Sequence, residues 1–141
     1  MVNYKILPHI ADVRVQAFGK TKEELFINAA KGMTAVLRPQ VTSSSKQVTR
    51  KIKVKSVDIN SLLVDFLSEV LYLIQTNKEV YDEIKFKEFG PSTSSGQIIL
   101  RGELFGNKVE SFGEDIKAVT YHGLKIEQKN SLYQATILFD I

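Results

Sequence analysis

Between residues 59 and 76 the apolar side chains Ile59, Leu62, Leu63, Phe66, Leu67, Val70, Leu71 and Ile74 recur at steps of three and four. This spacing lines one face of an α-helix with a wide apolar stripe that has to be buried against another element. Asp65, Ser68 and Glu69 break the apolar run along the sequence, so the segment reads as a core helix and not as a membrane span. Ser56 or Asp58 marks its first turn. A second helix lies upstream. Thr21-Lys22-Glu23-Glu24 has the form of a capping box, and Leu25, Phe26, Ala29, Ala30, Met33 and Leu37 share one face before Pro39 closes the helix.

Elsewhere the period is two, the signature of strands. Short β-rich runs cover residues 4–9 and 12–18, with Pro8 marking an irregularity between them. Within the second run, Val13, Val15 and Ala17 alternate with Asp12, Arg14 and Gln16. After the polar segment Thr42-Ser43-Ser44-Ser45, residues 48–57 set Ile52, Val54 and Ser56 against Lys51, Lys53 and Lys55. A lysine row of this kind suits an edge strand. Further strands are expected over 84–89, 98–104, 116–127 and 132–141, with a loop from Gly90 to Gly96 and a turn at Lys129-Asn130-Ser131.

The order ββαβα followed by strands predicts an α+β fold. Two layers are expected, with two helices packed on one side of a largely antiparallel sheet of about six to seven strands. With 141 residues and no long linker, the chain is read as a single domain over 1–141.

The chain has no cysteine, which excludes a thiol nucleophile and cysteine-ligated metal and mildly favours a reducing compartment. No basic segment followed by a signal-length apolar run lies near Met1, so a cytoplasmic location is expected. The net charge of +3 hides an asymmetry: residues 1–55 carry +8 and residues 56–141 carry −5. Such polarity can steer an anionic partner.

Few catalytic devices are present. There is no phosphate-binding Gly-rich loop and no nucleophile elbow, and the only histidines are His9 and His122. Both histidines are read as structural, with His122 in a strand beside Gly123. Asp65 and Glu69, four apart on the long helix, are read as a solvated face. No catalytic residue is assigned, and the chain is expected to assist another enzyme.

Acidic groups remain at suggestive places. Asp12 opens a strand, and Asp140 precedes Ile141 at the end of an apolar strand. An apolar strand running to the last residue is expected to be docked, which would set the terminal carboxylate of Ile141 beside Asp140. If Asp12 lies on an adjacent strand, three carboxylates converge, and such hard oxygen donors suit calcium, magnesium or manganese. Spacing alone does not place position 12 near position 140. Asp also caps turns, and Asp140 also fits as an ordinary solvent-facing strand residue.

Several blocks, taken together, resemble the archease family. His9-Ile10-Ala11-Asp12 is similar to its His-Thr-Ala-Asp signature, and the stretch from Gly19 to Ala30 and the helix from Ser61 to Tyr72 also match. The nearest similarity is Glu114-Asp115-Ile116-Lys117-Ala118-Val119-Thr120-Tyr121-His122-Gly123-Leu124, closed by Phe139-Asp140-Ile141. The resemblance implies an accessory protein for the GTP-dependent RNA ligase of tRNA splicing and RNA repair, promoting ligase guanylylation and multiple turnover. It implies RNA contact only through the ligase, and no membrane. It also implies a divalent-cation site at Asp12, Asp140 and Ile141, with calcium ahead of magnesium or manganese. Two positions depart from the family pattern: Ile10 replaces a threonine, and Arg14 puts a cation two residues from Asp12. That charge opposes cation binding.

Two other functions fit parts of the chain. A stand-alone RNA-binding module would use Lys46, Arg50, Lys51, Lys53 and Lys55 of the basic N-terminal part on phosphates. A metal-dependent phosphoesterase would use the carboxylates but has no evident general base.

Overall fold

The computed structural model describes residues 2–7, 12–41, 47–93 and 96–141. In chain order these form β1 Tyr4–Leu7, β2 Asp12–Gly19, α1 Lys22–Leu37, β3 Pro39–Val41, β4 Gln47–Ser56 and α2 Ile59–Asn77, then β5 Glu79–Pro91, β6 Ile98–Phe112, β7 Ala118–Thr120, β8 Glu127–Lys129 and β9 Leu132–Asp140. The chain divides into two compact units, Met1–Arg38 with Glu114–Ile141 and Pro39–Gly113.

In the first unit β1, β2, β9 and β7 pair in that order, with β8 also on β9, and every pairing is antiparallel. The helix α1 packs on β1, β2 and β9. Its start is the expected cap: Thr21 Oγ1 accepts from the Glu24 amide at 3.0 Å, and Glu24 reaches back to the Lys20 amide at 3.0 Å. It ends at Arg38, which takes the left-handed conformation and lets Pro39 open β3. Val13, Val15 and Ala17 from β2 and Ala135, Ile137 and Phe139 from β9 are buried with Leu25, Phe26, Ala29 and Met33 of α1.

In the second unit β6 is the central strand, flanked by β4 and β5, and it also pairs with β3. The helix α2 packs on β4, β5 and β6 through Leu62, Leu63, Phe66, Leu67, Val70 and Ile74, all buried. By length and composition α2 could cross a membrane, but its apolar stripe is spent on this core. Asp58 caps it, accepting from the Ser61 amide at 2.8 Å.

The α+β class and the antiparallel pairing agree with the sequence reading. The strands, however, form a five-stranded and a four-stranded sheet, nine strands among the described residues, instead of one sheet of six to seven. The reason is width. A helix about 10 Å across roofs only two or three strands spaced about 4.8 Å apart, so each helix takes its own sheet.

Other strand boundaries shift too. β5 and β6 run far beyond the expected 84–89 and 98–104, and β6 continues through Gly106, a point of close approach to β5. A Cβ on Gly106 would lie 1.8 Å from the Val80 carbonyl oxygen, beside the bulge between Tyr81 and Glu83. The strand expected over 116–127 is broken into β7 and β8 by a turn in which Gly123 has φ +66°. Pro8, Thr42 to Lys46, and Ser94 and Ser95 of the expected loop lie outside the described residues.

Candidate functional site

The register of β2 against β9 is set by burial. Val13 faces Phe139, Val15 faces Ile137 and Ala17 faces Ala135, and all six are on the core side. A slip by one residue would turn this entire set to solvent. With that register held, Asp12 stands opposite Asp140, and opposite residues of an antiparallel pair project to the same face. Asp140 is flanked on its other side by Ala118 of β7. The end of β9 is docked, since the Lys117 amide donates to the Asp140 carbonyl at 2.6 Å. Asp12 and Ile141 are half-buried, while Asp140 is exposed.

Arg14 is exposed and sits two residues along β2 from Asp12, opposite Leu138. Among the described residues, neither carboxylate nor Arg14 takes part in an ion pair. The described residues also hold no group of three His, Cys, Asp or Glu side chains arranged around one point. The chain therefore offers two carboxylates and the main-chain oxygen of Ile141. That set fits a hard cation that keeps several waters and does not fit a softer metal needing nitrogen or sulfur. His9, Ile10 and Ala11 lie outside the described residues.

The model of the Archease protein family (MTH1598/TM1083) matches residues 4–141, across both units. The chain belongs to the archease family. It is similar to Protein archease of Methanosarcina barkeri, with 39% identity covering 98% of this chain and 95% of that protein. It is also similar to Protein archease of Pyrococcus furiosus, with 36% identity covering 85% of this chain and 84% of that one. The solution structure of Methanobacterium thermoautotrophicum protein 1598 matches 99% of both chains with TM-score 0.76 and 27% identity. A crystal structure from Thermotoga maritima, described as an archease, possible chaperone, shares the fold with TM-score 0.61 and 19% identity. The motif resemblance is borne out.

Other sequence candidates on the archease scaffold take different roles from those expected. His122 lies in an exposed turn and not in a strand; its amide donates to Thr120 Oγ1 at 3.4 Å. Asp65 is half-buried and accepts from the buried Ser56 hydroxyl at 2.6 Å, so it ties α2 to β4 and is no solvated charge. Arg50 faces the core side of β4. Its guanidinium donates to both oxygens of Glu79, at 2.9 and 2.8 Å, which removes it from a phosphate-gripping set.

Sequence reasoning missed Glu79 entirely. Its side chain is fully buried, held by Arg50, by the Tyr81 hydroxyl at 2.9 Å and by Lys108 at 3.5 Å. The hydrogen bonds from Arg50 hold its carboxyl below the usual glutamate range against the opposing effect of burial. Burial pushes the Tyr81 hydroxyl up, and the Glu79 carboxylate beside it adds to that. The network joins β4, β5 and β6 and has the character of a structural lock. No local pattern around position 79 announces it, because its charged partners, Arg50 and Lys108, are 29 residues away in each direction along the chain.

Proposed function

We propose that this archease acts on another protein, activating a GTP-dependent RNA ligase of tRNA splicing and RNA repair by promoting its guanylylation and repeated turnover. The observation that carries the reading is the opposition of Asp12 and Asp140 across β2 and β9. These are the positions at which the family resemblance expects a divalent-cation site. The description of the Thermotoga maritima relative as a possible chaperone also supports a role exercised on a partner.

In this reading Asp12, Asp140 and the main-chain oxygen of Ile141 would hold a divalent cation, calcium ahead of magnesium or manganese. A cation bound there would supply positive charge toward phosphate oxygens. The chain's own part is to present a rigid acidic end. β2 and β9 are anchored by their buried alternate residues, and the Lys117 amide fixes the Asp140 backbone. Such an end can enter the partner's nucleotide pocket and set the metal or the carboxylates in place without further ordering cost.

The test is guanylylation of the cognate ligase by GTP, at catalytic ligase concentration, with and without the full chain. A large increase that Asp12→Ala or Asp140→Ala abolishes while melting stays unchanged is expected. An active ligase that does not respond to the wild-type chain would refute the proposal.

A further inference from the structure

The solvent face of the four-stranded sheet carries a charge and ring pattern unrelated to the acidic end. Lys51, Lys53 and Lys55 project from β4 on the side away from α2, alternating with the inward Ile52, Val54 and Ser56. Their spacing along the strand is roughly 7 Å. The same face of β6 presents Arg101, Glu103 and Phe105, placed opposite Lys53, Lys51 and Thr49. On β5 it presents Glu83, Lys85 and Glu88.

Three acidic groups on this face are already engaged. Glu83 pairs with Lys85 at 3.6 Å, Glu103 with Lys87 at 2.6 Å and Glu88 with Arg101 at 3.7 Å. Among the described residues, Lys51, Lys53 and Lys55 form no ion pair, although Glu103 opposite Lys51 feels its charge, so a row of three lysines lines an edge strand. Phe105 is half-buried just past the end of that row, with Lys85 Nζ 5.5 Å from its ring centre. Beside it opens a groove of about 270 Å³, lined by Gln47, Thr49, Asp82, Glu83, Phe105 and Asn107 among others.

Edge lysines also discourage strand-to-strand association, but that role calls for neither a ring nor a groove beside them. We propose that this face binds single-stranded RNA, with Lys51, Lys53 and Lys55 on successive phosphates and a base stacked on Phe105 in the adjoining groove. Complementarity of charge selects a polyanion, and the flat aromatic surface selects unpaired bases. Asp82 and Glu83 would repel a phosphate in the groove. They accept hydrogen bonds from base amino groups and from a ribose 2′-hydroxyl, which favours RNA over DNA. The surface lies wholly within the second unit, so it does not depend on Asp12 and Asp140 or on the ligase reading.

The test is fluorescence anisotropy of a short, unstructured, labelled RNA titrated with the full chain across a salt series, beside the same sequence as DNA and as duplex RNA. Binding of the single strand is expected to weaken steeply with salt. In Lys51→Gln/Lys53→Gln/Lys55→Gln the log–log salt slope should become shallower by about 2, at roughly 0.7 per phosphate contact. Phe105→Leu should weaken binding roughly 5- to 100-fold at an unchanged slope, and Phe105→Tyr should retain it. Circular dichroism melting confirms that each variant is folded. Absence of binding at low salt by the wild-type chain would overturn the proposal, as would a salt slope untouched by the triple variant. Equal affinity for DNA or for duplex RNA would overturn the assignment to single-stranded RNA.

Discussion

Asp12 lies directly across the β2–β9 ladder from Asp140, one step beyond the buried pair Val13 and Phe139. The core of the first unit thus helps hold the two residues opposite each other, since a one-residue slip would expose Val13 and Val15 or Ile137 and Phe139. Like charges at opposite positions of a sheet are unfavourable. A cation between them would turn that cost into binding energy.

A reversal of sign is therefore expected on adding metal. In a chelator, Asp12→Asn and Asp140→Asn melt slightly above the wild-type chain because the repulsion is gone. With calcium in excess, the wild-type midpoint rises, by about 2.7 kcal/mol of stability at a hundredfold excess over Kd. The variants should not respond. Scanning fluorimetry in chelator, calcium, magnesium and manganese measures both halves, and wild-type melting unmoved by all three cations would end the cation-site reading.

Arg14 is the exposed cation nearest in sequence to the pair, two residues along β2 from Asp12. Its charge works against a bound divalent ion through solvent. Arg14→Ser is expected to tighten calcium binding by roughly 2- to 5-fold at moderate ionic strength, and by less at high salt. Titration calorimetry at two salt concentrations checks both the gain and its screening.

The Arg50–Glu79 pair predicts acid sensitivity in the second unit. Glu79 has its pKa lowered in the folded state, so its contribution is complete above the ordinary glutamate value of about 4.5 and is lost as pH falls through the folded value. Glu79→Gln should flatten the fall of the melting midpoint over that acid range. Glu79→Ala at neutral pH should lower the midpoint by on the order of 10 °C, because Arg50 and Tyr81 lose their shared acceptor. A midpoint unchanged in Glu79→Ala would show that the network carries no stability.

Gly106 is the most crowded glycine in the second unit, its missing Cβ aimed at the Val80 carbonyl. Gly106→Ala must push β5 from β6 and is expected to cost about 3 kcal/mol. Urea unfolding measures it, and a loss below about 1 kcal/mol would mean the bulge at Tyr81 and Glu83 relaxes freely.

Local features were readable in the chain because they depend on near neighbours. The Thr21 cap, the α2 stripe, the inward Ile52, Val54 and Ser56, and the turn at Asn130 and Ser131, both at positive φ, all appear where the residues place them. Asp12, Asp140 and Ile141 could be named as candidates from the family resemblance, and Asp12 and Asp140 are opposed in the sheet. Two of the failures had their deciding partner elsewhere in the chain, and the third was a local turn. His122 lost its strand to the turn at Gly123, Asp65 lost its solvent to Ser56, and Arg50 lost its surface role to Glu79.

The sequence by itself determined the α+β class, the two helices with their caps, the face each strand buries and the family, since periodicity, capping chemistry and motifs are carried by short spans. Only the tertiary structure decided that the strands divide into two sheets, that β6 runs through Gly106, that Glu79 is locked by Arg50, and that Lys51, Lys53 and Lys55 share a face with Phe105. These relations join residues tens of positions apart. They follow from which strands come to lie side by side, which no local run of residues encodes.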